Sequence, residues 1–332
     1  MRILVVVLNW NGVDDTEQCL AALTRQTMPA DVLVVDNGSC LDDVSRLGRR
    51  AKAGTVRLHL ESKNIGFAGG VNIGIRLAQR ENYDAVALLN NDATPQPDWL
   101  EALAGAIDGA SIATGLLLHR TDDVTGPSAI DTAGDGLSLW GMPFPRHRGQ
   151  PRACAPSAGE VFSASGGASL YRTALFDDIG LFDEKFFAYF EDVDIGFRAR
   201  LAGHRIVYTP TAIAHHRIGA TSKRIPGFTV RQTFKNLPVL LLKNVPKGLR
   251  YPIWSRFVLL YAMMFGKCVI KGTGRYALTG LSEAIRLVPY ALRERRLIQA
   301  SVNTDVKRLL FYDLPPGQHG MRRLLRCLRA TV

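Results

Sequence analysis

Three clusters in the chain carry side chains able to do chemistry. Asn90-Asn91-Asp92 closes the apolar run Ala85–Leu89. A carboxylate beside two amides can hold a hard divalent cation that already carries phosphate oxygens, as Mg²⁺ and Mn²⁺ sites commonly do. The same tripeptide also closes strands as an ordinary turn. Glu191-Asp192-Val193-Asp194 follows Phe186, Phe187, Tyr189 and Phe190. Aromatic surroundings withdraw water from a carboxyl and raise its pKa, which suits a general base. The alternative is an acidic helix start paired with Arg198 and Arg200, Asp194 lying four residues before Arg198. His215-His216 ends the segment Tyr208–His216. One imidazole could complete a metal site with Asp92, or the pair could serve structure alone.

Two further segments are less specific. Asp36-Asn37-Gly38-Ser39 is a turn signal whose carboxylate could accept a hydrogen bond from a pyrimidine N–H. Asn64-Ile65-Gly66-Phe67-Ala68-Gly69-Gly70 opens a helix, where glycines let backbone N–H groups approach a phosphate. The glycines do not follow the first strand and do not form GxGxxG, which argues against a nicotinamide site.

The elements that must position these groups alternate in type. Strands are predicted at the apolar runs Ile3–Leu8 and Val32–Val35 and at Val56–Leu60 and Ala85–Leu89. Helices are predicted at Asp14–Leu23, capped by Asp14 or Asp15, and at Ala68–Ala78 and Trp99–Ile107. Short, fully apolar strands alternating with helices imply an α/β fold, a mostly parallel sheet covered on both faces. Ligands bind beyond the carboxyl ends of such strands. Asn9/Asn11, Asp36/Asn37 and Asn90/Asn91/Asp92 occupy three of those ends. Thr121–Ser157, rich in Gly, Pro and Ser, reads as a long flexible excursion over the site. His204–Tyr208 reads as a short final strand.

The 332 residues suffice for one large domain or two ordinary ones. With 47% hydrophobic and 21% charged residues, a largely disordered chain is excluded. Five scattered cysteines without a CxxC pair argue against a disulfide scaffold or zinc finger and fit a reducing cytosol. MRILVVVLNWNG lacks a small-residue cleavage site and reads as a first strand, not a signal peptide.

Charge divides the chain. From Arg217 onward there are 22 Lys and Arg against 4 Asp and Glu, while the preceding part has 19 against 26. Large apolar residues interleave with the basic ones, notably in Leu237–Leu242, Phe257–Gly266, Leu281–Ala300 and Met321–Arg329. The run Phe257–Gly266 has ten residues before Lys267, against roughly 20 needed to span a bilayer. Interfacial helices at an anionic membrane surface are therefore expected, an ordinary helical subdomain or a dimer contact being the alternative. The division places a boundary between residues 1–222 and a basic, amphipathic helical region at 223–332.

Taken in order, LNWNG, VLVVDNGS, NIGFAGGVNIGI, LLNNDATPQPDWL and SGGASLYRTALFDDIGLFDEKFFAYFEDVDIGFRARLAGHRIVYTPTAIAHHRIGATS resemble family 2 glycosyltransferases of GT-A fold. The similarity is greatest to the bacterial rhamnosyltransferase-like branch and covers about residues 1–222. It implies that Asn11 and Asp36 line a nucleoside pocket, and that Asn64, Gly66 and Asn72 lie near the sugar or diphosphate. Asn90-Asn91-Asp92 would be the DxD-like motif, with Asn90 in place of its first Asp and Asp92 as metal ligand. Asp192, beside Glu191, would be the base and His216 the distal ligand of Mg²⁺ or Mn²⁺, His215 being the weaker choice. Gly166 and Gly167 would shape the acceptor side. KNLPVLLLKNVPKGL and RLVPYALRERRLIQ extend the likeness into the tail.

The implied activity is metal-dependent, inverting transfer of a sugar to a lipid-linked glycan precursor in polysaccharide synthesis. The donor would be dTDP- or UDP-linked, with dTDP-rhamnose preferred and a UDP-sugar such as a galactofuranosyl donor as alternative. The protein would act in the cytoplasm, peripherally on the inner face of the cell membrane. The competing class, an anionic-surface or nucleic-acid binding protein acting through the basic region, lacks any helix-turn-helix, OB or RRM signature. A nucleotidyltransferase would need a glycine- and Lys/Arg-rich triphosphate loop near the first strand, and none is evident.

Overall fold

The computed structural model describes residues 1–119, 128–217, 225–300, 302 and 311–312. The expected amphipathic stretch Met321–Arg329 lies outside the described residues.

The amino-terminal half alternates as predicted. Its elements are β1 (Ile3–Asn9), α1 (Val13–Leu23), β2 (Asp31–Asn37), α2 (Leu41–Lys52), β3 (Arg57–Glu61), α3 (Gly66–Arg80), β4 (Ala85–Asn90), β5 (Ala93–Pro95) and α4 (Trp99–Ala106). Helix α2 was not expected, although Leu41, Val44, Leu47 and Ala51 recur at helical spacing; of its residues only Asp43 and Leu47 are buried. Residue Gly12, not Asp14 or Asp15, precedes α1 as its cap. The free N–H groups of Gly12 and Val13 instead donate to Asp43 Oδ2 at 2.8 and 3.1 Å. A carboxylate suits the positive end of a helix.

Strands β6 (Ile112–His119), β7 (Ile130–Thr132), β8 (Asp135–Ser138), β9 (Pro143–Pro145), β10 (Gly159–Glu160) and β11 (Ala168–Arg172) follow. Then come α5 (Leu175–Ile179), α6 (Glu191–Leu201) and β12 (Ile206–His216). The described part of the expected flexible excursion is thus folded. β7 pairs with β6, and β8 pairs with β9. β12 runs well past the expected His204–Tyr208, with a register shift between Tyr208 and Ile213.

The main sheet has the order β10-β12-β6-β11-β4-β1-β2-β3. β3, β2, β1 and β4 are mutually parallel, β11 is antiparallel to both its neighbours, and β6 and β12 are parallel to each other. Register aligns the carboxyl ends: Asn9 pairs with Asp36, and Leu8 pairs with Asn90.

Side chains alternate across a strand, and β1 serves two cores. Leu4 and Val6 pack with Val71 and Ile75 of α3, while Ile3, Val5 and Val7 pack with Leu20 of α1, Leu47 of α2 and Trp99 of α4. α3 lies so close that a Cβ on Gly74 would stand 2.4 Å from Val6 Cγ2.

After residue 225 the chain is helical: α7 (Phe228–Asn244), α8 (Arg250–Ile270), α9 (Gly274–Arg286) and α10 (Val288–Ala300). The short strand β13 (Phe311–Tyr312) joins β8. The expected helix Leu281–Ala300 is thus divided at Leu287. Leu237, Val239, Leu240 and Leu241 of α7 share one core with Phe186, Val193, Phe197 and Leu201 and with Phe257 of α8. That places Leu237–Leu242 inside the protein and corrects the interfacial reading of this run. Pro238 within α7 leaves the Phe234 carbonyl without its helical donor, and Tyr261 Oη donates to it at 2.7 Å.

Gly74→Ala should cost about 1–3 kcal/mol by overpacking, read from the urea midpoint. Val6→Ala in the same chain should recover part of that loss. Two additive losses would place the contact elsewhere.

Candidate active site

A cavity of about 680 Å³ opens at the carboxyl ends of β1, β2 and β4. Asn64, Gly66, Asn90, Asn91, Asp92, Gly166, Gly167, Glu191, Asp192 and His216 all line it, so the structure brings these expected residues together.

Asp92 and His216 meet because β5 folds back from the end of β4 and pairs with β12, setting His216 opposite Ala93. The Arg217 N–H donates to the Asp92 carbonyl at 3.0 Å. His216 Nε2 lies 3.1 Å from Asp92 Oδ1, and Nδ1 lies 2.8 Å from Asp131 Oδ2. Burial opposes charge on this imidazole, but the hydrogen bonds and charges of Asp131 and Asp92 outweigh it and hold the pKa at about 9. His215 is directed to the opposite side of the strand by alternation. Asn90 Nδ2 is 3.4 Å from His216 Nε2, and Asn91 donates to Thr16 Oγ1 at 3.0 Å.

The donor set fits a divalent cation. Asp92 offers a carboxylate and His216 an imidazole, both at the cavity wall, and Asp131 fixes the ring from behind as outer carboxylates do in metal sites. Among the described residues no cluster of three or more His, Cys, Asp or Glu forms a closed cage. A two-ligand site that takes its other oxygens from phosphate and water matches hard-cation chemistry.

Across the cavity, Asp192 Oδ2 accepts from the Gly166 N–H at 3.0 Å and Oδ1 from its neighbour Val193 N–H at 2.8 Å. Burial raises its pKa, while these two donors oppose the shift. Glu191 is raised well above the carboxylate range by burial and by the Asp192 charge, and its Oε2 has no partner among the described residues. Burial thus disfavours charge on both carboxyls, more strongly on Glu191, while the Gly166 and Val193 N–H groups favour it on Asp192. Asp194 faces away. It is fully buried and accepts from Arg198 at 2.9 Å and Asn244 at 2.7 Å, with Lys243 at 3.0 Å.

The segment before these acids has an unusual backbone. Phe187, Tyr189 and Phe190 have φ of 65, 70 and 71°. At Phe187 ψ is −63°, and the Ala188 N–H donates to the Phe186 carbonyl at 2.8 Å, a classic-type γ-turn. Left-handed conformations cost roughly 1–2 kcal/mol per L-residue. Gly66 permits the arrangement, since a Cβ there would lie 2.4 Å from the Phe187 carbonyl oxygen.

Three expected donor residues lie elsewhere. Asp36 is fully buried and off the cavity wall, accepting from Asn9 Nδ2 at 2.8 Å and the Ser39 N–H at 3.0 Å. Asn9, itself fully buried, is the member of that arrangement that borders the cavity. Asn11 is exposed and shapes the loop, its Oδ1 accepting from the Cys40 N–H at 2.8 Å. Asn72 is not brought to the cavity. Its amide spans to the backbone N–H and carbonyl of Phe182 at 3.0 and 2.9 Å, which ties α3 to the segment before α6.

Sequence reasoning missed Asp131, Asp135, Phe144 and Arg148, all on the wall. They come from the Gly- and Pro-rich stretch, where single residues carry no spacing signal. Arg148 Nη2 holds Asp131 Oδ1 at 2.6 Å. Asp135 accepts from Thr132 Oγ1 at 2.9 Å, and withdrawal from water together with the Asp192 charge pushes it up to about 8. An unfolded aspartate titrates near 4. Between about pH 4 and 8 the folded chain keeps a proton there that the unfolded chain has released, so stability falls as pH rises. Asp135→Asn should flatten that fall in urea midpoints measured from pH 4 to 8. An unchanged slope would show that Asp135 is ionised throughout.

Residues 1–237 match the sequence model of the family described as "Glycosyltransferase like family 2". The chain is 31% identical over 242 residues to an N-acetylglucosaminyl-diphospho-decaprenol L-rhamnosyltransferase of Mycobacterium tuberculosis (strain H37Rv), covering 66% of this chain and 77% of that one. In fold it is similar to S. aureus TarS in complex with UDP-GlcNAc, with TM-score 0.55, 17% identity and 91% of each chain covered. A second neighbour is the mannosyltransferase PcManGT of Pyrobaculum calidifontis in complex with GDP-Man and Mn²⁺, with TM-score 0.52, 16% identity and coverage of 90% and 85%. The sheet, its strand-end cavity and the family match agree: the chain is a GT-A glycosyltransferase and belongs to family 2.

Proposed function

We propose that this glycosyltransferase moves a sugar, L-rhamnose from dTDP-rhamnose being the best match, to a hydroxyl of a lipid-linked glycan precursor, with inversion. The observation that carries the reading is the one cavity that holds the Asp92–His216 pair and, across it, the carboxylate of Asp192. Bound at Asp92 and His216, Mg²⁺ or Mn²⁺ would neutralise charge on the departing nucleoside diphosphate.

The protein's own residues supply the rest. Asp192, kept ionisable by two N–H donors, takes the proton from the acceptor hydroxyl as that oxygen attacks the anomeric carbon from the face opposite the leaving group. The transition state is oxocarbenium-like, and a single displacement inverts the centre. Burial and the Asp192 charge disfavour a second negative charge on Glu191 beside the base. Gly166 orients Asp192 through its N–H, and Gly167 holds Asn90 by accepting its N–H at 2.9 Å. Rhamnose and the lipid diphosphate acceptor rest on the name of the mycobacterial relative.

A place on the inner face of the cell membrane is supported by the outer helices. Val258, Leu259, Met263 and Ile270 of α8 and Leu278 and Ile285 of α9 are exposed. Arg256, Lys267, Lys271 and Arg275 lie among them. Lys247–Ile270 is long and apolar enough to cross a membrane by length and composition, more than the ten-residue run suggested. Its Ile253, Phe257 and Leu260 pack into the protein, so we read α8 as lying on the bilayer with one face wetted by lipid.

Two measurements test the reading. In a panel of nucleotide sugars, dTDP-rhamnose should be turned over only with Mg²⁺ or Mn²⁺. Turnover of a UDP-sugar instead would overturn the rhamnosyl donor and leave the site chemistry in place. Asp192→Asn should lower kcat by about 10²–10⁴-fold with donor affinity retained, and wild-type turnover by that variant would remove Asp192 from the base role.

A further inference from the structure

The left-handed segment that leads into Asp192 is held from outside the sheet. Asn236 of α7, 1% exposed, donates through Nδ2 to the carbonyls of Phe186, Ala188 and Tyr189 at 3.0, 2.9 and 2.8 Å. Lys235 Nζ donates to the carbonyls of Lys185 and Phe186 at 3.0 and 3.2 Å. From the other side the Ala68 N–H reaches the Phe187 carbonyl at 3.3 Å. Neither Asn236 nor Lys235 lines the cavity, yet Phe187, Ala188, Tyr189, Phe190, Glu191 and Asp192 all do.

A γ-turn followed by two left-handed residues is not a conformation that this aromatic sequence prefers. It persists because its outward carbonyls have no regular strand or helix to join and find their donors on α7. Phe190 is the residue on which α6 begins, and Asp192 is the second residue of that helix. The direction of the Asp192 carboxylate therefore follows from how the segment is held.

We propose that Asn236, assisted by Lys235, is a positioning residue for the base. In this reading α7 is part of the catalytic unit, not merely an attachment for the basic helices. The inference rests on the assignment of Asp192 as base, but the segment's order can be read without any substrate.

The test uses the full chain with Asn236→Ala and the milder Lys235→Met, with two readouts. Hydrogen exchange should rise selectively at 186–192 in both variants while β1, β4 and the rest of α7 keep their protection. In steady-state kinetics kcat should fall about 10–100-fold for Asn236→Ala and less for Lys235→Met. The donor KM should stay within about 2-fold, and the pH profile of kcat should shift, because the carboxylate loses its fixed surroundings. Unchanged kcat, or exchange rising evenly through the sheet and α7 with kcat and KM changing together, would overturn the positioning role. If Asn236→Ala does not fold, Lys235→Met decides by the same criteria. If the wild-type chain turns over no nucleotide sugar, the reading of the function fails, while selective exchange at 186–192 still reports whether α7 holds the segment.

Discussion

The pairing of β12 with β5 is the constraint on which the site depends. β5 is three residues long and follows β4 after a turn that contains Asp92. β12 enters the sheet beside β6, passes its register shift and ends against β5 with His216 opposite Ala93. Backbone hydrogen bonds thus bring together two side chains 124 residues apart in the sequence. The partnership of β7 with β6 then sets Asp131 behind the imidazole. If β12 ended at Tyr208, His216 would have no fixed position and Asp92 would close an ordinary turn.

The second dependence runs through the C-terminal helices. Their basic composition suggests an appendage, yet α7 shares a core with Phe186, Val193 and Phe197. Two of its lysines are internal: Lys235 caps backbone carbonyls, and Lys243 lies between Asp183 and Asp194. Asp194 stays ionised although burial opposes it, because Lys243 and Arg198 flank it. Removing one partner from such a group would leave a buried charge unpaired, which is costly. The basic excess is thus divided between an internal framework and the exposed face of α8 and α9.

Buried polar groups also organise the donor end. Asn9 donates to Asp36, Ser39 and Asp43 at 2.8, 3.0 and 2.9 Å, and accepts from Thr16 at 2.7 Å. One side chain thereby joins the ends of β1 and β2 to α1 and α2. Asp36, expected to face the ligand directly, lies in this arrangement instead. An unsatisfied polar group in the same place would cost about 1–3 kcal/mol.

Sequence by itself determined the alternating strands and helices, the parallel half of the sheet and the three polar strand ends that converge. Short apolar runs and a helical period are local properties, and parallel topology does the rest. Local pattern left the roles of Asp92, Asp192 and His216 open, and only the resemblance of the ordered motifs to the family singled them out. Tertiary structure alone decided what surrounds them. Asp131, Asp135 and Arg148 come from a stretch without periodicity, and they reach the cavity only because β7 and β8 fold back onto the sheet. Leu237–Leu242 reads like an interfacial run, and its burial depends on which face of α7 meets α6. The roles of Asn72 and Asn236 rest on which distant carbonyls their amides reach, which is a matter of packing and leaves no trace in local composition.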